Sequence, residues 1–197
     1  MNRHYDPHFQ KDIVTIHPGE YYSTDEDIYI ATVLGSCISI ALFDPTLKMG
    51  GLNHFMLPKS TRAEAVPMTD EGRFGNFAME LLINDMLKKG CKHENLRAKV
   101  FGGGNVLDSS SSKMNMTGIN NINFALTYLE TEHIPILVND TGGIFPRKIY
   151  FHPQTSKVYL KRIQKIGCPV EQIKQREEQY QTNLQQAKAT AGDITWF

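Results

Sequence analysis

Thr32-Val33-Leu34-Gly35-Ser36-Cys37-Ile38-Ser39-Ile40, with Gly50-Gly51-Leu52-Asn53-His54-Phe55-Met56-Leu57-Pro58 behind it, organises this chain. Ile28 to Leu34 is β-branched, aromatic and apolar, the make-up of a buried strand. Gly35-Ser36 permits a bend or bulge, and Ile38 to Phe43 resumes the strand pattern. Asp44-Pro45-Thr46 signals a turn, because Pro45 fixes φ and the Asp44 carboxylate can bond its own downstream backbone. The chain then returns as Met49 to Leu57. An antiparallel hairpin turning between Pro45 and Thr46 sets His54 opposite Cys37, with Cβ atoms roughly 4.5–5.5 Å apart. A thiol and an imidazole so placed form a nucleophile–base pair.

Bulk properties narrow the class. A chain of 197 residues fits one domain and can bury a sizeable core. Its 21 basic and 21 acidic residues cancel, which argues against a dedicated binder of nucleic acid or anionic membrane. No apolar run reaches bilayer length, and Met1 to Asp6 lacks the apolar core of a signal peptide. Three cysteines without Cys-x-x-Cys spacing make neither a disulfide framework nor a zinc site. The expectation is a cytoplasmic protein with reduced thiols, no cofactor, no metal and no membrane insertion.

Outward from the hairpin, residues 1–15 are polar and aromatic without a clear period and read as a mobile arm. His4 and His8 stand one helical turn apart, but Asp6-Pro7 opposes a helix and no third ligand is near. Ile13 to Ile16 and Gly19 to Tyr22 read as strand entering the domain. Lys59 to Gly75 is a long loop carrying Arg62 and Arg73, of the kind that often serves function. Asn76 to Lys89 is the clearest helix, with Phe77, Ala78, Leu81, Leu82 and Met86 at helical spacing, Asn76 as cap and Gly90 as stop. Leu96 to Phe101 is a strand running into Gly102-Gly103-Gly104, where close backbone approach is expected. Ile119, Ile122, Leu126 and Leu129 predict a second helix from about Thr117 to Glu132. Ile134 to Val138 is a strand, marked by Pro135 as an edge or a strand start. Lys148 to His152 and Val158 to Ile163 form a closing hairpin, with His152 expected exposed and inert. From residue 167 the composition shifts to Gln, Glu and Lys. Val170, Ile173, Tyr180, Leu184, Ala187 and Ala191 make a thin stripe, so 167–197 reads as a helical tail outside a 16–166 domain. Such a tail can lie on the domain, pair with another chain or stay loosely attached.

Leu34-Gly35-Ser36-Cys37 and Gly51-Leu52-Asn53-His54-Phe55-Met56-Leu57-Pro58 resemble the signature of the bacterial chemoreceptor glutamine deamidases, the CheD family. Phe101-Gly102-Gly103-Gly104 and Asp140-Thr141-Gly142-Gly143 resemble that family's glycine-rich segments, and the likeness covers roughly residues 15–163. The resemblance implies an α+β fold, a sandwich of two mixed β-sheets with outer helices, as in some deamidating toxins. It implies Cys37 as nucleophile and His54 as its partner. The family places a threonine in the preceding strand, for which Thr32 is the candidate; one residue of slip would put Ala31 there, and Asn53 and Ser36 are fallback orienters. Attack on a glutamine side-chain amide would pass through a thioester, with the N–H groups of Ser36 and Cys37 as candidate oxyanion donors. The implied partners are the cytoplasmic domains of chemotaxis receptors and a CheC-type phosphatase. A cysteine hydrolase acting on another protein and a receptor-binding adaptor are the competing readings. An activated Cys37 is expected to alkylate faster than Cys91 or Cys168.

Overall fold

The Gly35-Ser36-Cys37 interruption is where the chain passes from one β-sheet to another. A computed structural model describes residues 1–58, 72–105, 116–164 and 168–190. The strands are β1 (Asn2–Asp6), β2 (Lys11–Thr15), β3 (Tyr21–Thr24), β4 (Tyr29–Leu34), β5 (Ile38–Asp44), β6 (Met49–Asn53), β7 (Arg97–Gly102), β8 (Ile136–Thr141), β9 (Arg147–Phe151) and β10 (Val158–Arg162). The helices are α1 (Gly72–Lys88), α2 (Met116–Thr131) and α3 (Cys168–Thr190). One sheet runs β1-β2-β4-β9-β10 and the other β3-β6-β5-β7-β8. Each is mixed, since β2 pairs β4 and β7 pairs β8 in parallel while the other neighbours are antiparallel. The α+β sandwich with outer helices is therefore the observed architecture. β4 is central in the first sheet and β5 in the second, so the crossover joins the middles of the two layers.

That placement explains why β5 is buried along its length and apolar but for Ser39 and Asp44. Ala41 and Phe43 face the first sheet, packing with Ile30, Leu34, Ile149 and Phe151. Ile38, Ile40 and Leu42 face the helices, against Met79, Leu82 and Phe124. A strand covered on both faces loses the polar alternation of a half-buried one. Each large aliphatic side chain so buried contributes roughly 1.5–3 kcal/mol.

The register differs from the sequence expectation by two residues along the returning strand. The β5–β6 ladder closes at Asp44↔Met49, and the isolated bridge Ile38↔Phe55 keeps the same register. Asp44 does accept the N–H groups of Thr46 and Leu47 through Oδ1, at 2.8 and 3.2 Å. The turn nevertheless extends to Lys48, which takes a left-handed φ of 52°. Cys37 therefore lies opposite Met56, and His54 lies diagonal to it. A two-residue displacement keeps the face of a strand, so the two side chains still share the layer between the sheets.

Other expectations are corrected. Residues 2–15 form the β1–β2 hairpin, with β2 paired to β4, rather than an arm without regular structure. Asp6 makes its turn by accepting the N–H groups of His8 and Phe9. α1 starts at Gly72, so Asn76 lies inside it. Its buried face is Met79, Leu82, Ile83 and Met86, while Phe77 is 63% exposed. Gly75 packs so closely on the Phe124 ring of α2 that a Cβ there would collide with it. His152 is buried, with Nε2 2.8 Å from Asp27 Oδ1, instead of exposed. β8 is an edge strand, as Pro135 indicated. Residues 59–71, including Arg62, lie outside the described residues. Arg73 lies in α1.

Candidate active site

Segments from distant parts of the chain build the site around the crossover. Gly102 ends β7, and with Gly103 and Gly104 it runs against the back of the Gly35–Cys37 loop. Gly102 holds φ +112°, and a Cβ there would collide with the Cys37 carbonyl oxygen, so only glycine fits. Gly103 N–H donates to the Cys37 carbonyl and Gly104 N–H to the Gly35 carbonyl, each at 2.7 Å. Asn121 of α2 donates through Nδ2 to the Ser36 carbonyl at 2.8 Å, and its Oδ1 accepts Leu57 N–H at 2.8 Å. In a trans peptide the C=O and the next N–H point in opposite directions. Holding the Gly35 and Ser36 carbonyls from behind therefore turns the N–H groups of Ser36 and Cys37 outward. Together with Gly35 N–H they form a nest for an anion.

A carboxylate fills that nest. Glu177 of α3 accepts Gly35 N–H and Cys37 N–H on Oε1, at 2.9 and 3.2 Å. Its Oε2 accepts Ser36 N–H at 2.9 Å and the Ser36 hydroxyl at 2.7 Å. Gly35 thus joins the expected donors Ser36 and Cys37, and Glu177 is their acceptor. Nothing in the local pattern around Glu177 marks it, because its partners lie far back in the chain. Asn121 was likewise missed, because the apolar spacing that marks α2 says nothing of the polar residues buried with it.

Sγ of Cys37, a ring nitrogen of His54 and a carboxylate oxygen of Glu177 lie within 4.8 Å of one another, all buried. These are donor types found in metal sites, but here both carboxylate oxygens are engaged by the nest. Thr32 of β4 reaches across from the opposite sheet, its Oγ1 2.7 Å from His54 Nδ1 and 2.9 Å from the Ile16 carbonyl oxygen. A hydroxyl has one proton. A carbonyl can only accept, so that proton goes to Ile16 and Oγ1 accepts from His54 Nδ1–H. The imidazole is thereby held in the tautomer whose Nε2 carries a free lone pair. Nε2 is buried and has no partner among the described residues.

The register settles which strand residue meets His54: Thr32 faces the inter-sheet layer, and Ala31 packs on the outer face with Ile13 and Tyr29. Asn53 bonds Ile40 N–H and reaches Met79 in α1, and Ser36 bonds Glu177, so neither orients His54. Burial, the Glu177 charge and the Glu177 hydrogen bond push the Cys37 thiol well up. Burial, reinforced by nearby His17, brings His54 down to about 3. With α3 seated, the pair is a neutral thiol beside a neutral imidazole. Burial and the Glu177 charge thus oppose alkylation of Cys37 in this state, against the expectation that it outpaces Cys91 and Cys168. A cavity of about 50 Å³ borders Thr32, His54 and Glu177 and is large enough for a water molecule.

The family model described as CheD chemotactic sensory transduction matches residues 56–162. The chain belongs to the CheD family. It is 44% identical to a Shewanella oneidensis protein named probable chemoreceptor glutamine deamidase CheD 1, over 100% of this chain and 93% of the relative. A Janthinobacterium relative named probable chemoreceptor glutamine deamidase CheD is 42% identical over 100% and 94%. One from Methylobacillus flagellatus with that same name is 43% identical over 100% and 95%. The solved structure of YlmD from Geobacillus stearothermophilus overlaps 67% of this chain and 60% of that chain with a TM-score of 0.37 and 14% identity, too loosely to carry an argument. Thr32, Cys37 and His54 all precede the stretch matched by the CheD family model, and full-length similarity to CheD proteins extends over them. Among the described residues no helix is long and apolar enough to cross a membrane.

Proposed function

We propose that this chain hydrolyses glutamine side-chain amides on chemoreceptors to glutamate and ammonia, with Cys37 as nucleophile, His54 as proton carrier and Thr32 as the residue that orients His54. The observation that carries this is the convergence of a thiol, an imidazole with a fixed tautomer and a nest of three N–H groups that already accepts a carboxylate. His54 Nε2 takes the thiol proton, and the thiolate attacks the amide carbon. The oxyanion settles among Gly35, Ser36 and Cys37 N–H, where one such donor is worth about 10²–10³ in rate. Imidazolium returns the proton to the leaving nitrogen, the C–N bond breaks, and ammonia departs from a thioester on Cys37. Water then gives a proton to His54 and attacks the thioester. Collapse releases the glutamate carboxylate and the Cys37 thiolate, which regains its proton.

Receptor cytoplasmic segments as substrate place the protein in the cytoplasm, and the family resemblance adds a CheC-type phosphatase as a binding partner. Within the chain, residues 16–166 carry this chemistry and 167–197 act on it from outside. The test is peptide mass spectrometry on a receptor cytoplasmic fragment incubated with the protein and, in parallel, with Cys37→Ala. Glutamine-to-glutamate conversion by the wild type alone is the expected result. Conversion by both, or by neither when Cys37 is reactive, would overturn the assignment.

A further inference from the structure

The group occupying the nest belongs to the chain itself, and it is chemically the product of the proposed reaction. Glutamate is what deamidation of glutamine leaves behind, and Glu177 holds both carboxylate oxygens in the donor set that an amide oxygen would need. It is presented from a helix. Glu177, Gln181 and Leu184 fall at i, i+4 and i+7, one face of α3, and all three are buried. The Tyr180 ring lies against Gly19, and Gln181 Nε2 is 3.4 Å from the Leu57 carbonyl oxygen. The groove therefore runs between the Gly19 turn and Leu57, across the open side of the crossover loop. The seating is narrow and half polar, Glu177 and Gln181 beside Tyr180 and Leu184, where a permanently packed helix shows a broad apolar stripe. A helix held this way is exchanged when another helix offers the same donors an acceptor, which replaces the four bonds to Glu177.

Resting on the deamidase reading, we propose that the groove seating α3 is the docking surface for a substrate helix, which α3 occupies as an intramolecular product mimic through Glu177. The partner is a helix that projects a glutamine into the nest, with a polar residue one turn further on where α3 carries Gln181. Until it displaces α3, the site is closed and self-inhibited. Glu177 also works through charge: it disfavours the Cys37 thiolate while seated, and its departure both opens the nest and eases ionisation of the thiol.

Two readouts test this separately from the reaction. Alkylation by iodoacetamide needs no substrate. Glu177→Ala in the full chain is expected to raise the Cys37 alkylation rate at least about tenfold, the equivalent of one pKa unit. Tyr180→Ala, which weakens the seating without touching the nest, is expected to raise it too. Unchanged rates in both variants overturn the inference, even if the wild type deamidates receptors. Accelerated alkylation without any receptor conversion overturns the deamidase reading and leaves the closed site standing. The second readout is Glu177→Gln, which presents the carboxamide in the same groove. Peptide mass spectrometry should find that amide converted to the acid at position 177, with no conversion when Cys37→Ala is added. An amide that persists there in a protein active on receptors overturns the product-mimic assignment.

Discussion

Cys37 and Cys91 are both buried, and burial pushes both thiols up, that of Cys91 to about 11. Their surroundings differ in kind. Cys91 follows α1, its N–H closing onto the Met86 carbonyl and its Sγ 3.6 Å from Met49 Sδ. Around it lie Leu96, Met86 and Met49, with the Asp44 charge acting against ionisation. Cys37 sits between a free imidazole lone pair and a row of outward N–H groups. Depth and thiol acidity therefore do not tell a nucleophile from a packing residue. The donors and acceptors arranged around the sulfur do.

The sharpest way to break this comparison is to exchange the outcomes of two substitutions. Cys37→Ala is expected to lower kcat on a receptor fragment by more than ~10³, since residues acting as a catalytic unit fail together. Cys91→Ala is expected to stay within about twofold in rate and to cost on the order of 1 kcal/mol in urea unfolding. Comparable losses of activity in both would dissolve the distinction.

The next effect in size concerns the tautomer. Thr32→Val removes the acceptor of His54 Nδ1–H without changing bulk, and a fall in kcat of about 10²-fold is expected, with KM little moved. Thr32→Ser should restore most of it, because the hydroxyl alone is needed. Equal losses in Val and Ser variants would mean the position matters only for packing.

The pH dependence of alkylation sharpens the contrast further. In the wild type both cysteines should titrate above the ordinary thiol range. Glu177→Ala removes an anion beside Cys37, which favours the thiolate and moves the Cys37 midpoint down, while the Cys91 midpoint should stay in place. Parallel movement of the two would point to general loosening of the fold.

The smallest expected effect is on acid stability. His54 is held near 3 in the folded chain, against about 6.5 for a free imidazole, so between these values the unfolded chain binds a proton that the folded one refuses. The neutral-histidine contribution is complete above pH ~6.5 and is lost as pH falls toward 3, on the order of a few kcal/mol. His54→Gln should flatten the fall of the urea midpoint between pH 7 and 4. An unaltered slope would place the acid sensitivity elsewhere.

Strand and helix positions were legible wherever one side chain after another answers to a single neighbouring layer. Ile28–Leu34, Ile38–Phe43 and the second helix came from that pattern, and Gly102-Gly103-Gly104 announced a close approach because only glycine serves there. Helical faces were less legible. Apolarity alone points Phe77 inward, yet it is exposed, while Asn121 is buried because a backbone carbonyl and an N–H wait for it. The hairpin register slipped because Pro45 suggested a tighter turn than one ending in a left-handed Lys48. Glu177 was out of reach: its bond to Gly35 spans 140 or so positions, and no periodicity in a Gln- and Glu-rich stretch points across such a distance.

The Ser36 carbonyl is fixed by a side chain 85 residues further along. During synthesis, a chain that has emerged only past His54 carries its sulfur and its imidazole but none of the residues that aim the loop's amides. Distant closures of this kind form late, because their entropy cost must be met before they return anything. Catalytic competence is thus a certificate of completed folding: fragments ending before Asn121 are expected to show no deamidase activity, and half-made enzyme poses no hazard to the glutamines around it.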